Sequence, residues 1–185
     1  QAAFNAFLKT LEERPAHAIF ILATTEKHKI LPTILSRCQI FDFKRIVVKD
    51  VVTHLTEIAS NEGVTIDENA LHIIGQKADG ALRDALSIFD QVVSFCGKTV
   101  TYQDVIENLN VLDYDYYFKI VDGFVEGNIS EVLVIYDEIQ RKGFDGQIFL
   151  NGLANHFRDL LVAQNATSQQ LLEKSKELAV KYHNQ

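Results

Sequence analysis

The sequence predicts a mainly helical protein that opens on the edge of an α/β layer. Three observations carry this expectation. Residues 18–23, Ala-Ile-Phe-Ile-Leu-Ala, are a short unbroken apolar run rich in β-branched and aromatic side chains. Such a run favours a strand buried on both faces. From Lys49 to Leu109, four stretches repeat apolar side chains three and four residues apart, with brief breaks between them. From Asp113 to near the end the same period continues. A period of 3.6 marks helices that bury one face.

Taken in order, residues 2–13 read as a helix with Ala3, Phe4, Phe7, Leu8 and Leu11 on one side, closed by Pro15. The apolar run at 18–23 is the first strand. It stops at Thr24-Thr25-Glu26, small or acidic polar groups at the strand's carboxyl end, where open α/β sheets hold ligands. Pro32 opens a short helix through Thr33, Ile34 and Leu35. Ser36-Arg37-Cys38 follows, and Ile40-Phe41-Asp42-Phe43 alternates like a second strand running to Arg45. On residues alone this is a phosphate-sensing edge of a nucleotide-binding sheet. Two strands do not make a stable sheet by themselves, so further strands are expected upstream.

A helix over 49–62 buries Val51, Val52, Leu55, Ile58 and Ala59 and stops at Gly63. Asp67 caps a second helix, which ends near Gly80. The third, 81–95, turns Leu82, Ala85, Leu86, Phe89 and Val93 inward, and Thr101 caps a short fourth. Together they predict a small bundle. Beyond it, Tyr117, Phe118, Val121 and Phe124 mark a helix, Ser130 caps the next, and a longer one spans 147–163. Gly152 inside that helix costs about 1 kcal/mol against alanine, which marks a close helix contact. A last, more polar helix begins at Thr167.

The 185 residues suffice for one or two ordinary domains, and 47% apolar content supports a sizeable core. A net charge of −7 argues against a broadly basic nucleic-acid surface, though not against a local patch. Cys38 and Cys96 form no Cys-x-x-Cys and the six histidines no His-x-x-x-His, so neither a disulfide framework nor a metal site is expected. Cys38 reads as a small buried thiol, not a nucleophile. No run is long enough to span a membrane, and a cytoplasmic location is expected. The chain opens on Gln1 and contains no methionine, so it reads as an internal piece of a longer protein.

Leu22-Ala23-Thr24-Thr25-Glu26, then Lys29-Ile30, Thr33-Ile34 and Ser36-Arg37-Cys38, resemble the sensor-1 to arginine-finger segment of the AAA+ clamp-loader ATPases. With residues 4–13 before them and Gly80-Ala81-Leu82-Arg83-Asp84-Ala85-Leu86-Ser87 after them, they are similar to the gamma/tau family of bacterial DNA polymerase III. The resemblance is motif by motif over roughly the first hundred residues, and by position and helical character beyond. Arg14 stands where that family usually has a proline.

The resemblance implies three parts: the C-terminal part of an AAA+ core over 1–46, a helical lid over 47–109, and part of a helical collar over 110–185. Arg37 becomes an arginine finger reaching the ATP of a neighbouring subunit. Thr25, or Thr24 beside it, becomes the sensor-1 hydroxyl. Arg83 becomes sensor 2, touching the phosphates of its own subunit's ATP. Read singly, each has a plainer role. Arg37 caps the short helix before it, threonines ending a strand are common, and Arg83 pairs with a surface acid such as Asp79. The tyrosines Tyr114, Tyr116 and Tyr117 read as partly interface and partly core.

The sequence has no G-x-x-x-x-G-K-[ST] loop and no apolar strand ending in paired acids. ATP and Mg therefore belong to the intact parent, and this stretch alone should not hold them tightly or hydrolyse ATP. The implied partners are other clamp-loader subunits (gamma/tau, delta, delta-prime), the sliding clamp and primed DNA. Two alternatives stand beside this reading. One is a helical interaction module without ATP-linked function. The other is a non-hydrolysing subunit of the delta-prime type.

Overall fold

The computed structural model describes residues 17, 19–165, 171–172 and 174–184. The helix expected over 2–13 lies outside the described residues. The chain divides into two compact units between Lys44 and Arg45.

In the first unit, a 3-10 turn at Lys27–Lys29 leads to α1, Pro32–Leu35, with its proline at the helix start. Ile34, within α1, is fully buried. The strands expected at 18–23 and 40–45 are not formed over their described residues: 19–23 and 40–45 are irregular, and no strand pairs with them among the described residues. Ile19, Ile21 and Phe43 are 91%, 88% and 94% exposed. The physical reason is that an apolar run supplies side chains for burial but not the neighbouring ladder that makes it a strand.

The second unit begins with four helices. They are α2 (Val48–Glu62), α3 (Glu68–Lys77), α4 (Leu82–Cys96) and α5 (Tyr102–Asn108). Val51, Leu55, Ala59, Ile74, Ala85, Phe89, Val92 and Val105 meet in one core. Each comes from the apolar stripe of its own helix, so burial selects the helical phase. α2 stops where Gly63 takes a left-handed φ of 66°. A two-residue parallel pair, β1 (Thr65–Ile66) with β2 (Thr99–Val100), ties the starts of α3 and α5 together. Thr101 and Asp104 complete a capping box on α5. Asp67 stands at the N-cap position of α3 but makes no cap bond there; its carboxylate accepts instead from the Tyr102 N–H at 3.1 Å.

Among the described residues four more helices follow: α6 (Tyr114–Val125), α7 (Ile129–Arg141), α8 (Gly146–Gln164) and α9 (Lys176–Asn184). Asn128, not Ser130, caps α7, accepting from the Glu131 N–H. Both residue types cap well, and the turn at Gly127 places the first of them in the right geometry. Thr167 lies outside the described residues. The last helix starts later than expected, at Lys176, where Ser175 Oγ accepts from the Leu178 N–H.

Tyr117 packs against Phe149, with ring centroids 6.0 Å apart, and crosses α8 at Gly152. A Cβ built on Gly152 would overlap the Tyr117 hydroxyl and stand 2.5 Å from its Cζ. Gly152→Ala, which ordinarily stabilises a helix by about 1 kcal/mol, is therefore expected to cost about 1–3 kcal/mol here. Thermal melting followed by circular dichroism checks this. A melting temperature at or above wild type would contradict it.

Candidate functional site

The chemistry-bearing residues of the first unit lie on the two sides of α1. Thr24 Oγ1 accepts from the Glu26 N–H at 2.9 Å, which folds the chain into a tight hydroxyl-closed turn. Thr25, beside it, is exposed. Lys27 Nζ pairs with Asp42 at 3.0 Å and so joins this turn to the segment after Cys38. The pair is solvent-exposed, so it orients more than it stabilises.

Arg37 follows the C-cap residue of α1, Ser36, and is exposed. Its Nη1 donates to the Thr33 carbonyl at 2.8 Å and to Ser36 Oγ at 3.3 Å. Ser36 Oγ donates to the same carbonyl at 3.1 Å. The guanidinium thus neutralises the carbonyl end of a four-residue helix, which is the plainer of its two sequence readings.

Arg83 stands in the first turn of α4, exposed, while Ala85 and Phe89 of the same helix are buried. The Ser87 hydroxyl donates to its backbone carbonyl at 3.0 Å. Asp79, the acid considered as its partner, pairs instead with Arg45. That pairing escapes sequence reasoning because 34 residues separate the two. The structure brings Thr24, Thr25 and Arg37 into one unit and Arg83 into the other.

The tyrosines serve the protein's own interior more than an outer surface. Tyr117 is buried, and burial pushes its phenol up to about 12. Tyr114 donates to Gln76 Oε1 at 2.7 Å and accepts from Lys174 Nζ at 2.9 Å. Tyr116 donates to Glu138 Oε1 at 2.6 Å. Lys174 also reaches the buried Asp159 at 3.1 Å, so one cation links α3, α6 and α8. A cavity of about 290 Å³ opens there, lined by His72, Gln76, Tyr102, Tyr114, Lys174 and Lys181 among others. His72 is held below the usual histidine range, mainly by burial and further by Lys174, with Glu68 opposing. Among the described residues no cluster of His, Cys, Asp and Glu is suited to a metal ion. Among them, too, no helix is long and apolar enough to cross a membrane.

Two family descriptions match consecutive stretches. "DNA polymerase III, delta subunit" covers residues 1–47, and "DNA polymerase III clamp loader subunit, ATPase lid domain" covers 50–98. The second coincides with α2 to α4 and contains Arg83. The chain is 42% identical over 175 residues to the DNA polymerase III subunit tau of Bacillus subtilis, covering 94% of this chain and 31% of that one. It is 38% identical over 148 residues to the tau subunit of Escherichia coli, covering 80% and 23%. The chain belongs to the DNA polymerase III gamma/tau family. It spans less than a third of the length of these relatives. The Mycobacterium tuberculosis gamma/tau subunit is 34% identical to it over 165 residues, covering 89% of this chain and 28% of that one. Among solved structures, the Bacillus subtilis DNA clamp loader delta protein aligns with 98% of this gamma/tau-family chain and 59% of its own. The TM-score is 0.41 at 15% identity. The fold class agrees with the sequence expectation: mainly helical, with the matched lid as a helical bundle.

Proposed function

We propose that this gamma/tau-family segment works within a clamp-loader ATPase that uses ATP to place a sliding clamp on primed DNA. The observation that carries the reading is the lid match over 50–98 together with an exposed Arg83 in the first turn of α4. The residues present fit a phosphate ligand in part. Arg37 and Arg83 are exposed cations, while the phosphate loop and the magnesium-binding acids are not in this sequence. ATP, as substrate, supplies the bond that is cleaved and the charge that the two guanidiniums read. Arg83 grips the phosphates of its own subunit and couples lid angle to nucleotide state. Arg37 stabilises charge building on the γ-phosphate of a neighbouring subunit. Thr25, or Thr24 held in its turn, serves as the sensor-1 hydroxyl that bonds an ATP γ-phosphate or the attacking water and so reports hydrolysis.

The C-terminal helices serve as part of the collar that holds subunits together. Val125, Ile129, Leu133 and Val134 are exposed on α6 and α7, an apolar surface of the kind that subunits cover. Partners in this reading are further gamma/tau, delta and delta-prime subunits, with the clamp and primed DNA met by the assembly.

The test is Arg83→Ala in the full-length protein, assembled into a loader. Weakening of ATP binding by about tenfold, one lost charge-assisted contact, is expected, with loading of the clamp falling in step. Unchanged ATP affinity and unchanged loading would overturn the reading and favour a helical interaction module.

A further inference from the structure

The start of α4 is not free to choose its direction. Asp79 and Gly80, in the loop that precedes it, both take left-handed φ values of 49° and 78°. Asp79 is one of two non-glycine residues with positive φ among the described residues, and aspartate bears that conformation more readily than most. Gly80 has a second reason to be glycine. A Cβ there would stand 2.5 Å from Arg45 Cβ and 3.1 Å from Arg45 Cγ. The segment at Arg45 therefore passes against the loop at a distance only glycine permits.

Three polar contacts hold it there. The Ile46 N–H donates to the Gly80 carbonyl at 3.1 Å. Arg45 Nη1 donates to the Asp79 carbonyl at 3.3 Å. The Arg45 guanidinium also pairs with the Asp79 carboxylate. One side chain thus engages both the backbone and the side chain of the residue that sets the loop. Arg83 lies three residues beyond Gly80, on the turn that this loop launches.

We propose that Arg45 is a positioning residue for Arg83. By clamping the Asp79–Gly80 loop it fixes the heading of the first turn of α4, and with it the place from which the Arg83 guanidinium meets nucleotide phosphate. Arg45 opens the second compact unit, immediately after the first ends at Lys44. The clamp therefore joins the entry of the chain into the lid to the lid's phosphate-reading turn. The inference rests on the phosphate-binding role of Arg83. Because the contacts are solvent-exposed, the clamp orients and adds little to folding stability.

The test measures ATP affinity and steady-state ATPase in a loader assembled from the full-length protein. The variants are Arg45→Ala, Arg45→Lys, Asp79→Asn and Arg83→Ala. Arg45→Ala and Asp79→Asn are each expected to raise KM for ATP about threefold to tenfold, with little change in kcat or melting temperature. Combining them adds little to either alone, since they break the same clamp. Arg45→Lys restores part of the loss, because an ammonium keeps the ion pair but not the guanidinium's bond to the Asp79 carbonyl. Combining Arg45→Ala with Arg83→Ala adds nothing to Arg83→Ala. If Arg83→Ala raises KM and Arg45→Ala leaves it unchanged, the clamp is not a positioning device. If Arg83→Ala itself has no effect, the phosphate reading fails and the clamp inference falls with it. A fall in melting temperature that matches the change in KM, with no recovery in Arg45→Lys, would make Arg45 merely structural and overturn the proposal.

Discussion

Arg37→Ala is expected to lower the DNA-stimulated ATP turnover of an assembled loader by about a thousandfold, the lower end of what arginine fingers supply. That is about 4 kcal/mol of transition-state stabilisation. ATP binding should change little, because the finger acts on charge that develops during cleavage. The contact with the Thr33 carbonyl does not oppose this role. It is an exposed hydrogen bond, worth about 1 kcal/mol, that a charge-assisted bond to phosphate outcompetes. Arg37→Lys should also be slow, since an ammonium lacks the planar fork. Folding stability should stay within about 0.5 kcal/mol of wild type, as for most exposed substitutions. Turnover that stays near wild type would remove Arg37 from the chemistry and leave it as the cap of a short helix.

Phe89→Ala is expected to cost about 3–5 kcal/mol. Phe89 is 2% exposed on the inner face of α4, in the core that α2, α3 and α5 complete. Its removal leaves a cavity that neighbours such as Leu55 and Ile74, themselves fully buried, cannot fill without moving. For a protein of this length the midpoint should fall by about 10 °C. The functional consequence follows from the same helix. Arg83 sits on the outer side of α4, so loosening its inner face blurs the position of the guanidinium. Chemical denaturation checks the magnitude, and a loss below about 1 kcal/mol would show that the four helices do not share one core.

The bundle was legible because its signal is local. The stripe of α4 was expected over 81–95 and is found over Leu82–Cys96; that of α2 was expected over 49–62 and is found over Val48–Glu62. Gly152 was legible for a related reason: a costly residue in a helix needs a close neighbour, and Tyr117 is that neighbour. The strands expected at 18–23 and 40–45 are not formed over the described residues 19–23 and 40–45, because composition reports that a run wants burial, while strand geometry depends on partners elsewhere in a sheet. Asn128 and Ser130 are equally good caps on paper, and only the turn at Gly127 separates them. The Arg45–Asp79 clamp and the Lys174 link to Asp159 and Tyr114 were invisible, since their partners are distant in sequence. Arg37, Thr25, Thr24 and Arg83 were found through motif resemblance. All four are exposed, and exposure alone would not have singled them out.

The central claim is that Arg37 serves a neighbour's ATP. Its most direct test mixes two full-length chains, each inactive in a homogeneous assembly: Arg37→Ala, and a second chain whose own nucleotide site is disabled but whose Arg37 is intact. A finger acting in trans predicts recovered ATPase in the mixture, because intact nucleotide sites then meet intact fingers across subunit boundaries. A mixture as inactive as its two components, in assemblies shown to contain both chains, would contradict it.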